Sequence, residues 1–191
     1  KIMKNFTLIF SLILIASSSF AQNYKVQKKE SKLSWTGKAA FNSYTLTGSL
    51  NILKGHLKIS NDTIDELEIV VDMNSLDHEI KDLKKHLRSK DFFEVKKYKT
   101  ATFKLLKPSQ IKNRKVLISG FLKIKNKQKQ EKINAQLTVE GSLITIQFES
   151  NFDRTEYGIR FNSPSFFKKL KENAIADEFN LKGSILFKNN Y

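Results

Sequence analysis

The sequence predicts an all-β protein, a meander of about eight antiparallel strands, and three observations carry that expectation. Apolar residues recur at every second position through most of the chain. Turn-forming clusters punctuate it at short intervals. Four of the seven glycines (Gly37, Gly48, Gly120 and Gly183) fall inside the strands rather than between them.

In chain order, the first feature is KIMKNFTLIFSLILIASSSFAQ, where Lys1 and Lys4 precede an apolar run from Phe6 to Ala16 and small residues lead up to Ala21. This predicts a secretory signal over residues 1–21, cut after Ala21, and one domain over 22–191. An apolar run of eleven residues is too short to span a bilayer, which takes about 20. A protein so exported is expected in the periplasm or outside the cell. Without cysteine, disulfides, thiolate metal sites and lipid-modified cysteines are excluded.

Strands are expected near 31–40, 44–54, 56–60, 65–73, 100–107, 115–125, 130–140 and 142–152, with a long final one near 177–188. Leu67, Ile69, Val71 and Met73 share one face. Ile133, Ala135, Leu137 and Val139 alternate with Asn134, Gln136, Thr138 and Glu140, the mark of a half-buried antiparallel strand. LKGH, SND, KNR, KNKQ and VEGS read as tight turns. So many apolar-faced strands must either pair as a sandwich or close into a barrel, since open edges invite aggregation, and periodicity alone leaves both open.

Two interruptions read as helices. Ile80, Leu83 and Leu87 form one apolar stripe, and Phe166, Phe167 and Leu170 within SPSFFKKLKENA form another. The strongly basic stretch DLKKHLRSKDFFEVKKYKTATFK carries Phe92 and Phe93 side by side. Its lysines can face water while the rings cap an apolar interior from its rim; the alternative is that both pairs fill ordinary core.

The four in-strand glycines share the in-facing parity of Trp35, Leu50, Ile118, Leu122, Leu181 and Ile185. Glycine weakens a strand, so it serves there either the sharp coiling of a barrel or the close approach of another group.

The formal charge of +15 falls to +13 without Lys1 and Lys4, which favours anionic partners such as a membrane surface. A solvated lysine surface is the plainer reading. Nucleic acid is not expected: export argues against it, and only Arg88, Arg114, Arg154 and Arg160 among the 34 basic residues are arginines.

No phosphate loop, nucleophile elbow or metalloprotease pair is present. His78, Asp82 and His86 recur at four-residue spacing, but eight residues of helix rise about 12 Å, too far for one ion to reach both histidines. They are expected to be solvated. Asp72, Asp77, Asp153 and Glu156 offer carboxylates without a spacing that pairs them. No catalytic residues, metal or cofactor are expected.

The segment HLRSKDFFEVKKYKTATFK, preceded by VDMNSL and followed by FDRTEYGIRFNSPSFFKKLKENAIADEFNL, resembles the YceI-like family of exported polyisoprenoid-binding proteins over residues 31–188. Ser75, His86, Leu87, Asp91, Phe92, Phe93, Tyr98, Phe103, Gly120, Arg154, Tyr157 and Gly158 carry the match. Two features depart from it: Lys99 where the family usually has Pro, and KIKNKQKQE without the family's Gly and Pro.

The resemblance implies an eight-stranded antiparallel lipocalin-like β-barrel with one or two short helices, whose apolar cavity holds a polyisoprenoid or similar long-chain lipid without catalysis. Alternation and resemblance together nominate Trp35, Gly48, Leu50, Ile69, Phe92, Phe93, Phe103, Ile118, Gly120, Leu122, Phe148, Tyr157, Phe179 and Leu181 as lipid-contacting. Arg154 and Arg160 are nominated to meet an anionic head group. The other expectations kept open are a side-chain-filled barrel that docks to the envelope by its basic surface, and an enzyme working in the barrel cavity.

Overall fold

The computed structural model describes residues 21–189, so nearly all of the expected signal over 1–21 lies outside the described residues. Ten strands and one α-helix follow in order: β1 (Gln22–Val26), β2 (Lys32–Ala39), β3 (Thr45–Ser60), β4 (Thr63–Asp77), α1 (Lys81–Arg88), β5 (Thr100–Leu105), β6 (Ser109–Gln110), β7 (Lys115–Ile124), β8 (Lys127–Glu140), β9 (Leu143–Asp153) and β10 (Ile175–Asn189). Two 3₁₀ turns, Arg154–Tyr157 and Lys171–Asn173, lie between β9 and β10.

The strands form one sheet that closes on itself. The order is β1-β3-β2-β10-β9-β8-β7-β5-β4-β6, with β3 also pairing β4 and β1 also pairing β10. Register explains how ten segments make eight staves. β2 pairs Thr45 to Leu50 of β3, whereas β1 pairs the later stretch from His56 to Ile59, so β1 and β2 lie end to end in one position between β3 and β10. Ser31 bridges the interruption, its Oγ donating to the Gln27 carbonyl at 2.7 Å and accepting from the Leu186 amide at 3.0 Å. β5 and β6 share a second position along β4 in the same way. The result is a closed eight-stranded antiparallel barrel with one helix.

The alternation holds on β8 as far as Leu137, with Ile133, Ala135 and Leu137 buried between exposed Asn134 and Gln136; Val139, expected on the same buried face, is 64% exposed beside the β8–β9 turn. Two-residue hairpin turns need left-handed residues at their centres, and Asn61–Asp62 and Asn113–Arg114 supply them at φ of 46°, 55°, 50° and 62°.

Three expectations are corrected. LKGH is not a turn: β3 runs unbroken through Gly55, and a Cβ there would come 2.8 Å from Ile69 Cδ1, so this glycine answers a packing demand. Residues 163–174 do not form a second α-helix. Asn162 and Lys171 are left-handed, the Ser163 carbonyl takes the amides of both Phe166 and Phe167, and the Phe pair has no apolar surface beneath it, standing exposed. β1 and β6 lie where no strand is expected.

The interior is packed unequally along its length. Tyr24, Leu57, Ile64, Val116, Leu137, Ile144 and Phe187 meet within the end that holds the β3–β4 and β8–β9 hairpins and fill it. Toward the other end Trp35, Met73, Leu76, Leu87, Phe92, Leu122 and Phe152 pack around the wall, and the interior opens.

Candidate functional site

The open half of the barrel encloses a cavity of about 350 Å³ whose wall is almost wholly apolar. The filled half is its floor, through Leu67, Ile118, Ile146, Ile185 and Phe187. At the mouth stand Lys38, Tyr44, Glu172, Asn173 and Glu178, and α1 with the turns after it covers the remainder.

The cover is fastened from below. Lys84 Nζ pairs with Asp77 Oδ1 at 2.5 Å, and that hydrogen bond, set against some desolvation, holds the exposed Asp77 carboxyl below its ordinary range. Arg88 donates from Nε to the Leu76 carbonyl at 2.9 Å and from Nη2 to the Asn74 carbonyl at 2.6 Å. With α1 thus tied to the end of β4, Leu83, Leu87, Phe92 and Phe93 face the cavity, while Lys81, Lys85 and Lys90 remain exposed. The basic stretch carries a Phe pair because its two faces meet different media: rings toward the cavity, ammonium groups toward water.

The two histidines are corrected from their expected solvation. His78 is buried, its ring centroid 5.8 Å from that of Trp35, and its Nδ1 accepts the Ile80 amide at 3.0 Å. His86 is half-buried, set edge-on against Phe92 at 5.1 Å and Phe161 at 4.6 Å, so it joins the cover to the loop before β10. Among the described residues, no group of three or more His, Cys, Asp or Glu is placed to hold a metal.

Of the residues nominated from the sequence, Trp35, Leu50, Ile69, Phe92, Phe93, Phe103, Ile118, Leu122, Phe148, Phe179, Leu181 and Arg154 line the cavity. Gly48, Gly120, Tyr157 and Arg160 do not. A Cβ on Gly48 would lie 2.5 Å from the Trp35 ring, one on Gly120 2.4 Å from Phe103, and one on Gly183 2.3 Å from Phe148. Three glycines therefore make room for aromatic rings that lie flat across the neighbouring strand, and those rings, drawn back against the wall, leave the centre open. Val71, Met73, Ile124, Ile133 and Phe152 also line the cavity and share the same alternating face; the mouth residues carry no periodic signal.

Arg154 lines the cavity with its hydrogen-bonding capacity largely taken up. It donates to the carbonyls of Ala176, Ile159 and Ile175 at 2.8–2.9 Å and sits 3.6 Å from Asp177. Burial lowers the guanidinium pKa, with Asp177 and Asp153 pulling the other way. Its role in the fold is to bind the loop between β9 and β10 to the barrel. Arg160 is exposed, its guanidinium 4.3 Å from the ring centre of Phe166. Tyr157 is fully buried and donates to Glu131 Oε1 at 2.6 Å; burial first, and that bond second, push its phenol well above the ordinary range.

A closed eight-stave barrel whose apolar cavity opens at one end defines a lipocalin-like barrel protein. Within that class the chain belongs to the YceI-like family, whose domain model matches residues 24–187. A UPF0312 protein of Vibrio parahaemolyticus is 30% identical over 125 residues, covering 64% of this chain and 66% of the relative, and one of Yersinia enterocolitica is 32% identical over 96 residues, covering 49% and 50%. The chain thus spans less than two thirds of either relative. A Vibrio cholerae UPF0312 protein is 30% identical over 145 residues, 73% of this chain and 77% of the relative.

The fold is shared with the crystal structure of Burkholderia cenocepacia BcnA (TM-score 0.69, 20% identity, 84% of this chain and 98% of that one). It is shared too with a polyisoprenoid binding domain from Saccharophagus degradans (TM-score 0.66, 16% identity, 87% and 98%).

Proposed function

We propose that the protein is a non-enzymatic carrier or store for a polyisoprenoid or similar long-chain lipid, exported to the periplasm or beyond. The observation that carries this reading is the apolar cavity of about 350 Å³, open at one end and floored by packed side chains. Family membership and the name of the Saccharophagus domain support the same ligand class.

The energetics favour a hydrocarbon chain. Each isoprene unit withdrawn from water is worth roughly 4 kcal/mol, at about 0.8 kcal/mol per carbon, so a tail of several units has negligible free concentration in water. The competitor is the bilayer, into which transfer of the tail is nearly neutral. Selectivity then falls to fit and to the head group. Lys38 at the mouth is accompanied by Glu172 and Glu178, and Tyr44 and Asn173 add uncharged hydrogen-bonding groups. This mixture suits a neutral polar head, such as a hydroxyl or a carbonyl, better than a strongly anionic one. The high positive charge of the chain favours peripheral contact with anionic membrane.

The test is mass spectrometry of the organic extract of protein purified from an envelope fraction. One long-chain lipid recovered at a constant ratio is the expected result. Repeated recovery of empty protein, from preparations that retain other lipid-binding proteins' cargo, would overturn the reading.

A further inference from the structure

We propose that the rim of the open end is a docking surface for an anionic lipid bilayer. The proposal rests on the lipid-carrying reading for the direction of exchange, but the surface itself is a separate observation.

Among the described residues nine large hydrophobic side chains are exposed, and their distribution is uneven. Leu53, Leu106, Leu117 and Val139 stand apart on different strands or their ends. The other five, Phe41, Tyr44, Ile80, Phe166 and Phe167, all sit on the segments that frame the mouth: the β2–β3 loop, the start of α1, and the loop before β10. Every exposed aromatic in the set is at this end, with Phe41 69% and Phe167 51% accessible. The β2–β3 loop is joined to the loop before β10 by Ala40 N–H donating to the Ala174 carbonyl at 2.9 Å, and α1 meets the same loop through the edge-on contact of His86 with Phe161. Scattered apolar residues need no explanation; several gathered around the entrance to an apolar cavity do.

Charge selects the partner. Residues 160–173 hold four basic groups, Arg160, Lys168, Lys169 and Lys171, against one acid, Glu172, and Lys38 stands beside this loop at the end of β2, where Ala39 pairs with Ile175. Arg160 stacks on Phe166, so a cation and a ring are presented as a unit. Aromatic rings flanked by lysines match a bilayer interface, where rings enter the headgroup boundary and ammonium groups meet anionic heads. A second protein with an acidic, apolar face is a different occupant, and the experiment separates it. Docked this way, the cavity mouth faces the acyl region and a tail passes between bilayer and barrel without crossing water.

The experiment is co-sedimentation of the purified protein with vesicles of phosphatidylglycerol mixed into phosphatidylcholine, and with vesicles of phosphatidylcholine alone. Binding to the anionic vesicles that weakens with salt is expected. Phe166→Ser with Phe167→Ser, and separately Lys168→Glu with Lys169→Glu, should each lower the partition coefficient roughly tenfold. Neither should move the thermal midpoint, since all four side chains are exposed. Leu117→Ser, exposed away from the mouth, serves as the control and should change nothing.

Equal binding by rim variants and wild type, or no binding to anionic vesicles, would overturn the proposal. So would concentration-dependent self-association that the rim substitutions abolish while vesicles are ignored. Lipid extracted from the same preparations keeps the two readings apart: retained cargo with no vesicle binding removes the docking surface alone, and an empty cavity with vesicle binding intact supports the surface while removing the carrier.

Discussion

The ring of Phe103 lies against Gly120 so closely that a Cβ there would stand 2.4 Å from Phe103 Cζ and 2.7 Å from the Lys104 carbonyl oxygen. The same relationship joins Trp35 to Gly48 and Phe148 to Gly183, but the atoms that would have to yield differ. At Gly48 the Asp77 carbonyl is 2.1 Å away, and backbone cannot turn aside; at Gly183 only the Phe148 ring is in the way. Urea denaturation should therefore rank the alanine variants: a loss of about 3 kcal/mol or more for Gly48→Ala, about 2 for Gly120→Ala and about 1 for Gly183→Ala. Gly37→Ala, whose nearest neighbour would be 3.9 Å away, should stay within about 0.5 kcal/mol. Equal losses at all four positions would contradict the ring-seating account.

A void and a packed core answer opposite ways to a larger side chain. Leu50 is half-buried and lines the cavity. Leu50→Trp should leave the lipid-free protein as stable as the wild type, or more stable by up to about 1 kcal/mol, while lipid recovered per mole of protein falls several-fold. A loss of 2 kcal/mol or so would mean that the space is already occupied by protein.

Arg154 and Arg160 should separate cleanly. Arg154→Met strips three carbonyls of their donor and leaves Asp177 without its cation, with Ser165 Oγ still donating to it, so it should cost about 3 kcal/mol or more in a chemical denaturation experiment. Arg160→Met, at an exposed site, should cost within about 0.5 kcal/mol. Similar values for the two would show that the buried network is not what holds this loop.

Tyr157 gives the barrel an alkaline weakness. Its folded pKa is raised above the unfolded value of about 10, so its contribution is complete below about pH 10 and is lost as pH climbs beyond it, because the unfolded chain releases the proton first. Tyr157→Phe lacks that proton. The difference in Tm between wild type and Tyr157→Phe should accordingly shrink above about pH 10; a difference that stays constant up to pH 11 or so would count against the raised pKa.

Alternation on β4, β7 and β8 is a direct consequence of a sheet wet on one side and is readable along most of each strand; it breaks at Val70, which is buried off the expected face, and at Val139, which is exposed at the strand end. Closure into eight staves is not, because β1 and β2 share one position only through register with β3 and β10. Glycine parity is equally plain in the sequence. What fills the space above each glycine depends on which neighbouring ring lies across it, a matter of rotamer and of register, with Trp35 and Phe148 directly opposite Gly48 and Gly183 and Phe103 diagonal to Gly120. At residues 163–174 the stripe of Phe166, Phe167 and Leu170 has helical spacing but no surface to bury against, and spacing alone does not make a helix. The partners of Arg154 are backbone carbonyls, which no pattern of side chains announces.

The first and last described strands pair with each other at the filled end, Tyr24 opposite Asn189. A bead or electrode coupled near either residue would grip the molecule by its solid pole and leave the entrance pointing into the bulk. Immobilised in this orientation, the protein could be loaded and stripped repeatedly without the support ever obstructing the doorway.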